Sequence, residues 1–268
     1  MARGRFVIIR ASSRADTRGP KPFISKKAKK DRFGRHFDSY KLFDTKARQA
    51  IDGQRSLAEA MDKNRSKARA NVILGDARYL TEVLDGEKVD SVITSPPYLN
   101  AQDYYRSSKL QILTMGLAEP EELRAWSKQV VGSDRIDIND AKLSNKLPSP
   151  TAEHIRARLL MRGRRNAFVF SKYVQDMDIV IGSFANILGT GSHCAIGSAY
   201  NLMSGVIVPT PHVIVELAIR NGFHLSAHYV DKIRDRWVPT IRNGHDGVMK
   251  LEHILLFRRR KNASKTPN

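Results

Sequence analysis

The sequence predicts an α/β fold, and three observations predict it. Two short apolar runs, residues 71–78 and 89–94, each end in residues that turn the chain: Gly75-Asp76 in the first, Ser95-Pro96-Pro97-Tyr98 after the second. A short helical segment, residues 79–84, separates them. A third apolar run, residues 193–198, follows a long amphipathic segment. Buried strands that alternate with helices make an α/β sheet.

The elements follow in order. Residues 6–9 form a short strand or helix. Residues 12–35 are rich in Lys, Arg, Gly and Pro, with few apolar residues, and read as an extended arm. Leu42, Phe43, Ala47, Ala50, Ile51, Leu57, Ala58 and Met61 recur at three- and four-residue steps. That spacing predicts one or two helices, with Gly53 as a weak point. Residues 103–115 and 117–126 predict two further helices, and residues 132–150 a polar loop. Residues 152–165 predict a basic helix, and residues 169–188 a longer one stopped at Gly189. The segment Leu188-Gly189-Thr190-Gly191 follows a helix and precedes a strand, the reverse of a cofactor loop, and is read as a helix stop and tight turn. Residues 210–221 predict a helix with Gly222 at its C′ position. Residues 225–233 and 251–258 predict two strands that pair antiparallel.

The chain has 268 residues, enough for one domain or slightly more with a real core. Its formal charge of +19 suits a polyanion partner, because neutralised phosphates release counterions. Residues 1–70 hold 20 Lys and Arg against 7 Asp and Glu. Lys26, Lys27, Lys29, Lys30, Arg32 and Arg35 serve as a solvated tail or as phosphate contacts. The same two uses stay open for Arg156, Arg158, Arg162, Arg164 and Arg165. The lone Cys194 excludes a disulfide framework and a cysteine-based zinc site. The eight histidines show no ligand spacing, so no metal is expected. No apolar run approaches 18 residues and the start lacks a signal-peptide core, so the expected location is cytoplasmic.

The chemistry concentrates at Thr94-Ser95-Pro96-Pro97-Tyr98. Ligands of an open α/β sheet bind at the carboxyl ends of its strands. Two consecutive prolines remove two backbone donors and fix two φ angles, so the carbonyls of the turn project rigidly. An exocyclic amino group is a donor, and the Ser95 hydroxyl and the Pro96 carbonyl can hold it. Tyr98 offers an aromatic face to a base taken out of its stack. A plain Pro-Pro turn after a buried strand is the structural alternative.

Those five residues resemble the catalytic motif of the S-adenosylmethionine-dependent amino-methyltransferases of nucleic acids, enzymes with a Rossmann-like sheet. The Ser form is similar to that of cytosine-N4 DNA methyltransferases; adenine-N6 enzymes more often carry Asp or Asn there. Residues 72–78 resemble the family's third-strand motif, which implies a cofactor-binding role for Gly75, Asp76 and Ala77, with Thr94. Leu99-Asn100-Ala101-Gln102-Asp103-Tyr104-Tyr105-Arg106, Lys109-Leu110, Gly132-Ser133-Asp134-Arg135-Ile136 and residues 193–223 resemble one bacterial DNA-methylase subfamily. So do Ser13-Arg14-Ala15-Asp16 and residues 20–25. The resemblance implies catalytic roles for Ser95, Pro96, Pro97 and Tyr98. Asn100, Tyr104, Tyr105 and Lys109 become candidates for the substrate pocket, with core packing equally open for either tyrosine.

One departure is large. The family's first strand and its Asp-Pro-Phe-x-Gly-x-Gly type loop have no counterpart here, and no acidic ribose-binding residue is identifiable. The family orders its strands 3-2-1-4-5-7-6, and this chain offers only strands 3 to 7. The expectation is therefore a Rossmann-like sheet lacking two strands and the cofactor loop. Residues 1–70 would be a basic arm and helical region, 71–258 the catalytic-motif part, and 259–268 a basic tail. The implied function is methyl transfer from S-adenosylmethionine to a base of DNA, as in restriction-modification, with cytosine N4 ahead of adenine N6. The implied partners are DNA and a second subunit with the Gly-rich loop. An RNA or tRNA base methyltransferase, or a non-catalytic DNA-binding remnant, are the alternatives.

Overall fold

The computed structural model describes residues 15–16, 23–24, 38–63, 68–99, 104–133, 135, 146–233 and 251–260. In chain order the elements are β1 (Ala15–Asp16), β2 (Phe23–Ile24), α1 (Ser39–Lys63), a 3-10 turn (Ala77–Tyr79), α2 (Leu80–Val83), β3 (Val89–Thr94), α3 (Tyr104–Thr114), α4 (Pro120–Gln129), α5 (Pro150–Leu160), α6 (Arg164–Ile187), β4 (Leu188–Ser198), β5 (Asn201–Met203), β6 (Val206–Val208), α7 (Thr210–Arg220), β7 (Phe223–Lys232) and β8 (Leu251–Arg259). They divide into two units: residues 1–72 with 103–126, and residues 73–102 with 127–268.

In the first unit, β1 and β2 pair antiparallel over two residues. Most of the basic arm, and the expected element at residues 6–9, lie outside the described residues. α1 is one uninterrupted helix of 25 residues. The Asp38 side chain caps it by accepting from the Lys41 amide at 2.9 Å. A single glycine costs a helix only about 1 kcal/mol, so Gly53 does not divide it. α3 and α4 form where the sequence expects them. Glu122 in the first turn of α4 accepts from the Glu119 amide at 2.8 Å.

The second unit is built on a four-stranded sheet of order β3-β4-β8-β7. β3 and β4 are parallel, with Thr94 opposite Ile196. β4 and β8 are antiparallel, with Ser198 opposite His253, and β8 and β7 are antiparallel. This is the 4-5-7-6 half of the expected Rossmann-like sheet. One face forms the core. Cys194, Ile196 and Ser198 alternate along β4 opposite Phe257, Leu255 and His253 of β8, and all six are buried. α6 supplies much of the rest through Phe170, Tyr173, Val174, Met177, Ile181 and Phe184. Each fully buried side chain of this size stabilises by roughly 1.5–3 kcal/mol. The other face is barely covered: Ile93 is 86% exposed and Tyr229 58%.

Several expectations are corrected. Residues 71–76 carry no strand, and Val72 and Leu74 are 95% and 101% exposed. A strand needs a ladder, and among the described residues no strand pairs with this run. Residues 152–165 are not one helix. Gly163 breaks it at φ +147°, a conformation that favours glycine, and Arg164 and Arg165 open α6 instead. Residues 188–191 are not a tight turn: α6 runs directly into β4, which begins at Leu188 with a register irregularity opposite Val89–Ser91. The hairpin β5–β6 went unpredicted. Ser204 and Gly205 at its tip both have positive φ, 49° and 75°. The helix at 210–220 with Gly222 (φ +83°) after it, and the antiparallel closing strands, form as expected.

Candidate functional site

β3 delivers Thr94 to the carboxyl edge of the sheet, opposite Ile196. The chain then leaves through Ser95, Pro96, Pro97 and Tyr98 without regular structure. Ser95 is exposed, the next three are half-buried, and Leu99 is 1% exposed. The turn is anchored at three points. The Asn201 amide donates to the Leu99 carbonyl at 3.0 Å, and Asn201 in turn accepts from Thr210 Oγ1 at 2.8 Å. Pro97 and the ring of Tyr173 flank Gly132, each 3.6 Å from where a Cβ on that glycine would sit. Gly132 has φ +77°, a left-handed backbone that favours glycine. Burial, and then the Tyr98 phenol, push the Tyr173 hydroxyl far above the ordinary tyrosine range.

The third anchor is Tyr98 itself. Its hydroxyl donates to Glu252 Oε1 at 2.6 Å, across 154 residues of sequence. Glu252 lies near the start of β8, two strands from β3. Gly197 of β4 lies between them. A Cβ there would stand 3.4 Å from Ser95 Oγ and 3.8 Å from Glu252 Oε1. Three adjacent strand ends thus bring a hydroxyl, a bare backbone and a carboxylate together under the tyrosine. On the core face beside them, Ser198 is 1% exposed, and its hydroxyl has no hydrogen-bond partner among the described residues.

The Gly75-Asp76-Ala77 segment is anchored separately. A Cβ on Gly75 would meet Val83 Cγ2 at 2.5 Å, so only glycine fits. Asp76 caps the 3-10 turn by accepting from the Arg78 amide at 2.9 Å. The Arg78 guanidinium also grips both carboxylate oxygens, with its closest contact at 2.6 Å. It reaches Asp176 of α6 at 3.2 Å and the Gln129 carbonyl at 2.9 Å. Arg78 holds the Asp76 carboxyl below the usual carboxylate range.

The other expected site residues are dispersed. Asn100 lies outside the described residues. Tyr104, Tyr105 and Lys109 sit on α3 in the first unit, with Lys109 exposed. Among the basic-helix arginines, Arg156 is buried and paired with Glu153, so it is no solvated or DNA-facing residue. Arg158, Arg162, Arg164 and Arg165 are exposed. Among the described residues no group of three or more His, Cys, Asp or Glu is placed to hold a metal ion. An open groove lined by Lys146, His154, Gln175, Asp178 and Arg220 shares no residue with the turn. Sequence reasoning missed Glu252, Gly197 and Asn201. The strand order β3-β4-β8 brings Gly197 and Glu252 to the turn, and Asn201 reaches it from the separate β5–β6 hairpin; no local signal in the sequence marks any of the three.

No protein-family model matches the chain, and no curated protein matches it. Solved structures do. Two are crystal structures of one Thermus thermophilus protein, provisionally described as a DNA modification methylase. The first is 16% identical over 72% of this chain and 54% of that one, with a TM-score of 0.34. The second is 17% identical over 73% and 56%, with a TM-score of 0.35. A third, the same protein complexed with S-adenosyl-L-methionine, is 16% identical over 37% and 42%, with a TM-score of 0.28. The chain spans about half the length of the first two solved structures.

Proposed function

We propose that this chain is the catalytic-motif part of an S-adenosylmethionine-dependent DNA amino-methyltransferase, acting on cytosine N4 in preference to adenine N6. A second polypeptide completes the sheet and the cofactor site. The observation that carries the reading is the Ser95-Pro96-Pro97-Tyr98 turn, anchored at the carboxyl end of a parallel strand in a β3-β4-β8-β7 sheet. The need for a partner rests on β3. Among the described residues no strand pairs with its outer edge, and Ile93 lies open to solvent.

Gly75, Asp76, Ala77 and Thr94 would form one wall of the cofactor site. Asp76 already gives both its oxygens to Arg78, so this wall alone offers the cofactor little. Bound S-adenosylmethionine would supply the electrophilic methyl group. The residues of this chain orient the acceptor. The Ser95 hydroxyl and the Pro96 carbonyl take the hydrogens of the exocyclic amine and turn its lone pair towards the methyl group. Tyr98 stacks on the base that has left the helix.

The test is methyl transfer to DNA by the chain together with its complementing subunit. Ser95→Ala and Tyr98→Ala are each expected to lower the rate by about 100-fold, the scale of a lost positioning group. Wild-type rates in both variants would remove the turn from the mechanism.

A further inference from the structure

We propose that Glu252 is the positioning residue of Tyr98, setting the ring plane against which the substrate base stacks. The inference rests on the methyltransferase reading and names a residue that reading leaves unused.

The two prolines fix φ at positions 96 and 97, and the ring of Tyr98 is oriented by its own contacts. Stacking needs a defined ring plane, and χ1 and χ2 must be locked by something at the far end of the ring. Here that contact is the hydroxyl's 2.6 Å bond to Glu252 Oε1. A short hydrogen bond to a carboxylate acceptor is among the stronger ones in proteins and favours the one rotamer that makes it. The acceptor is itself fixed. Glu252 belongs to the β8 ladder, paired with Asp231 of β7, and β8 is bonded through β4 to β3. The carboxylate is therefore on the same rigid sheet that carries Ser95.

Gly197 lies between Ser95 and Glu252. Ser95 Oγ and Glu252 Oε1 both lie within ordinary van der Waals contact of the point where its Cβ would be, 3.4 and 3.8 Å away, so the two groups flank one short stretch of β4. Ser95 and Tyr98 thus share one frame, with the amine-holding hydroxyl and the stacking ring fixed relative to one another. Glu252 acts through Tyr98 and touches no reacting atom.

The experiment uses the complemented enzyme and compares Glu252→Ala, Glu252→Gln, Tyr98→Phe and the Glu252→Ala/Tyr98→Phe double variant. Thermal melts check that each is folded. Because the ring is oriented by the bond and not by the charge, Glu252→Gln keeps an acceptor and should stay within about threefold of wild type in kcat. Glu252→Ala and Tyr98→Phe should each lose about tenfold or more in kcat, with KM for DNA changed less than about threefold. The double variant should lose no more than the worse single one, since both remove the same bond. Independently of turnover, 2-aminopurine at the target position should be quenched less on binding Glu252→Ala than wild type. Full kcat in Glu252→Ala, or losses that multiply in the double variant, would overturn the proposal and leave the methyltransferase reading intact. If Glu252→Ala does not fold, Tyr98→Phe at the wild-type rate has the same force. A wild-type complex that transfers no methyl group defeats the parent reading, and this inference with it.

Discussion

His253 lies 8% exposed on β8 in a cluster of rings. Tyr200 stacks on it at 5.0 Å, and His228 of β7 meets its Nδ1 with Nε2 at 2.8 Å. His212 of α7 bonds the Tyr200 hydroxyl at 3.1 Å, and Ser198 lies opposite on β4. Burial first, then His228 and His212, hold the His253 imidazole below the ordinary histidine range. The folded state therefore prefers His253 neutral, and the unfolded chain takes up the proton first as the pH falls. Stability should decline as the pH drops below the ordinary histidine value of about 6.5, and level off once folded His253 is protonated too. Melting temperature measured from pH 7.5 to pH 5 should fall for the wild type and fall less for His253→Gln. Equal slopes would show that the cluster carries no proton linkage. Asp76 is linked in a separate window: its lowered carboxyl contributes stability that is lost only below the ordinary Asp value of 3.8.

At the scale of the element, β3 decides the most. Its inner neighbour is β4, its Val92 packs on the core, and its Ile93 faces solvent. If a second polypeptide covers this strand, Ile93→Lys has two separable effects. In the lone chain a surface change of this kind should stay within about 0.5 kcal/mol. In the complex it should abolish or strongly weaken association, because a lysine would be buried without a partner. Sedimentation of the mixed subunits reads this directly, and undiminished association would move the interface elsewhere. The same strand shows what the sequence could reveal. Residues 89–94 and 71–75 look alike as apolar runs, yet only the first becomes a strand. Val89–Thr94 has β4 to pair with, and the other run has no partner strand among the described residues; strand pairing is a tertiary fact that local pattern does not carry. The closing strands β7 and β8 were legible because they supply each other's ladder. Gly53, expected to be a weak point, lies inside an unbroken α1, whereas Gly163, within residues 152–165 expected to be helical, ends a helix; a glycine permits a break, but its surroundings decide whether the chain takes it. The turn at Ser95–Tyr98 was legible as a motif, whereas its tie to Glu252 depended on a strand order that no local signal encodes.

At the scale of the whole molecule, four strands pair without a gap from β3 to β7, and among the described residues none pairs with the outer edge of β3. The Gly75–Ala77 segment, proposed as part of one wall of the cofactor site, is held by Arg78 to Asp176 and by Leu80 N to Ser183 Oγ at 2.9 Å. A rigid half-site does not bind half as well as a whole one. A ligand loses its translational and rotational freedom in full on binding, about 4–15 kcal/mol, whether it meets one wall or two. Halving the contacts leaves that cost in place, and affinity falls far more than twofold. On the proposed division of the site, the second wall is also the one on which close backbone approach depends, since glycines let main-chain groups reach a ligand that a Cβ would hold off. The purified chain should therefore bind S-adenosylmethionine weakly or not at all, and methylate nothing. A subunit carrying a Gly-rich loop on a first strand should restore both activities by inserting its strands against β3. Calorimetric titration of the cofactor into the chain alone, and then into the mixture, measures the difference. Micromolar binding by the lone monomer would refute the divided site and mean that a segment of this chain, within residues 1–70, takes the place of the missing wall.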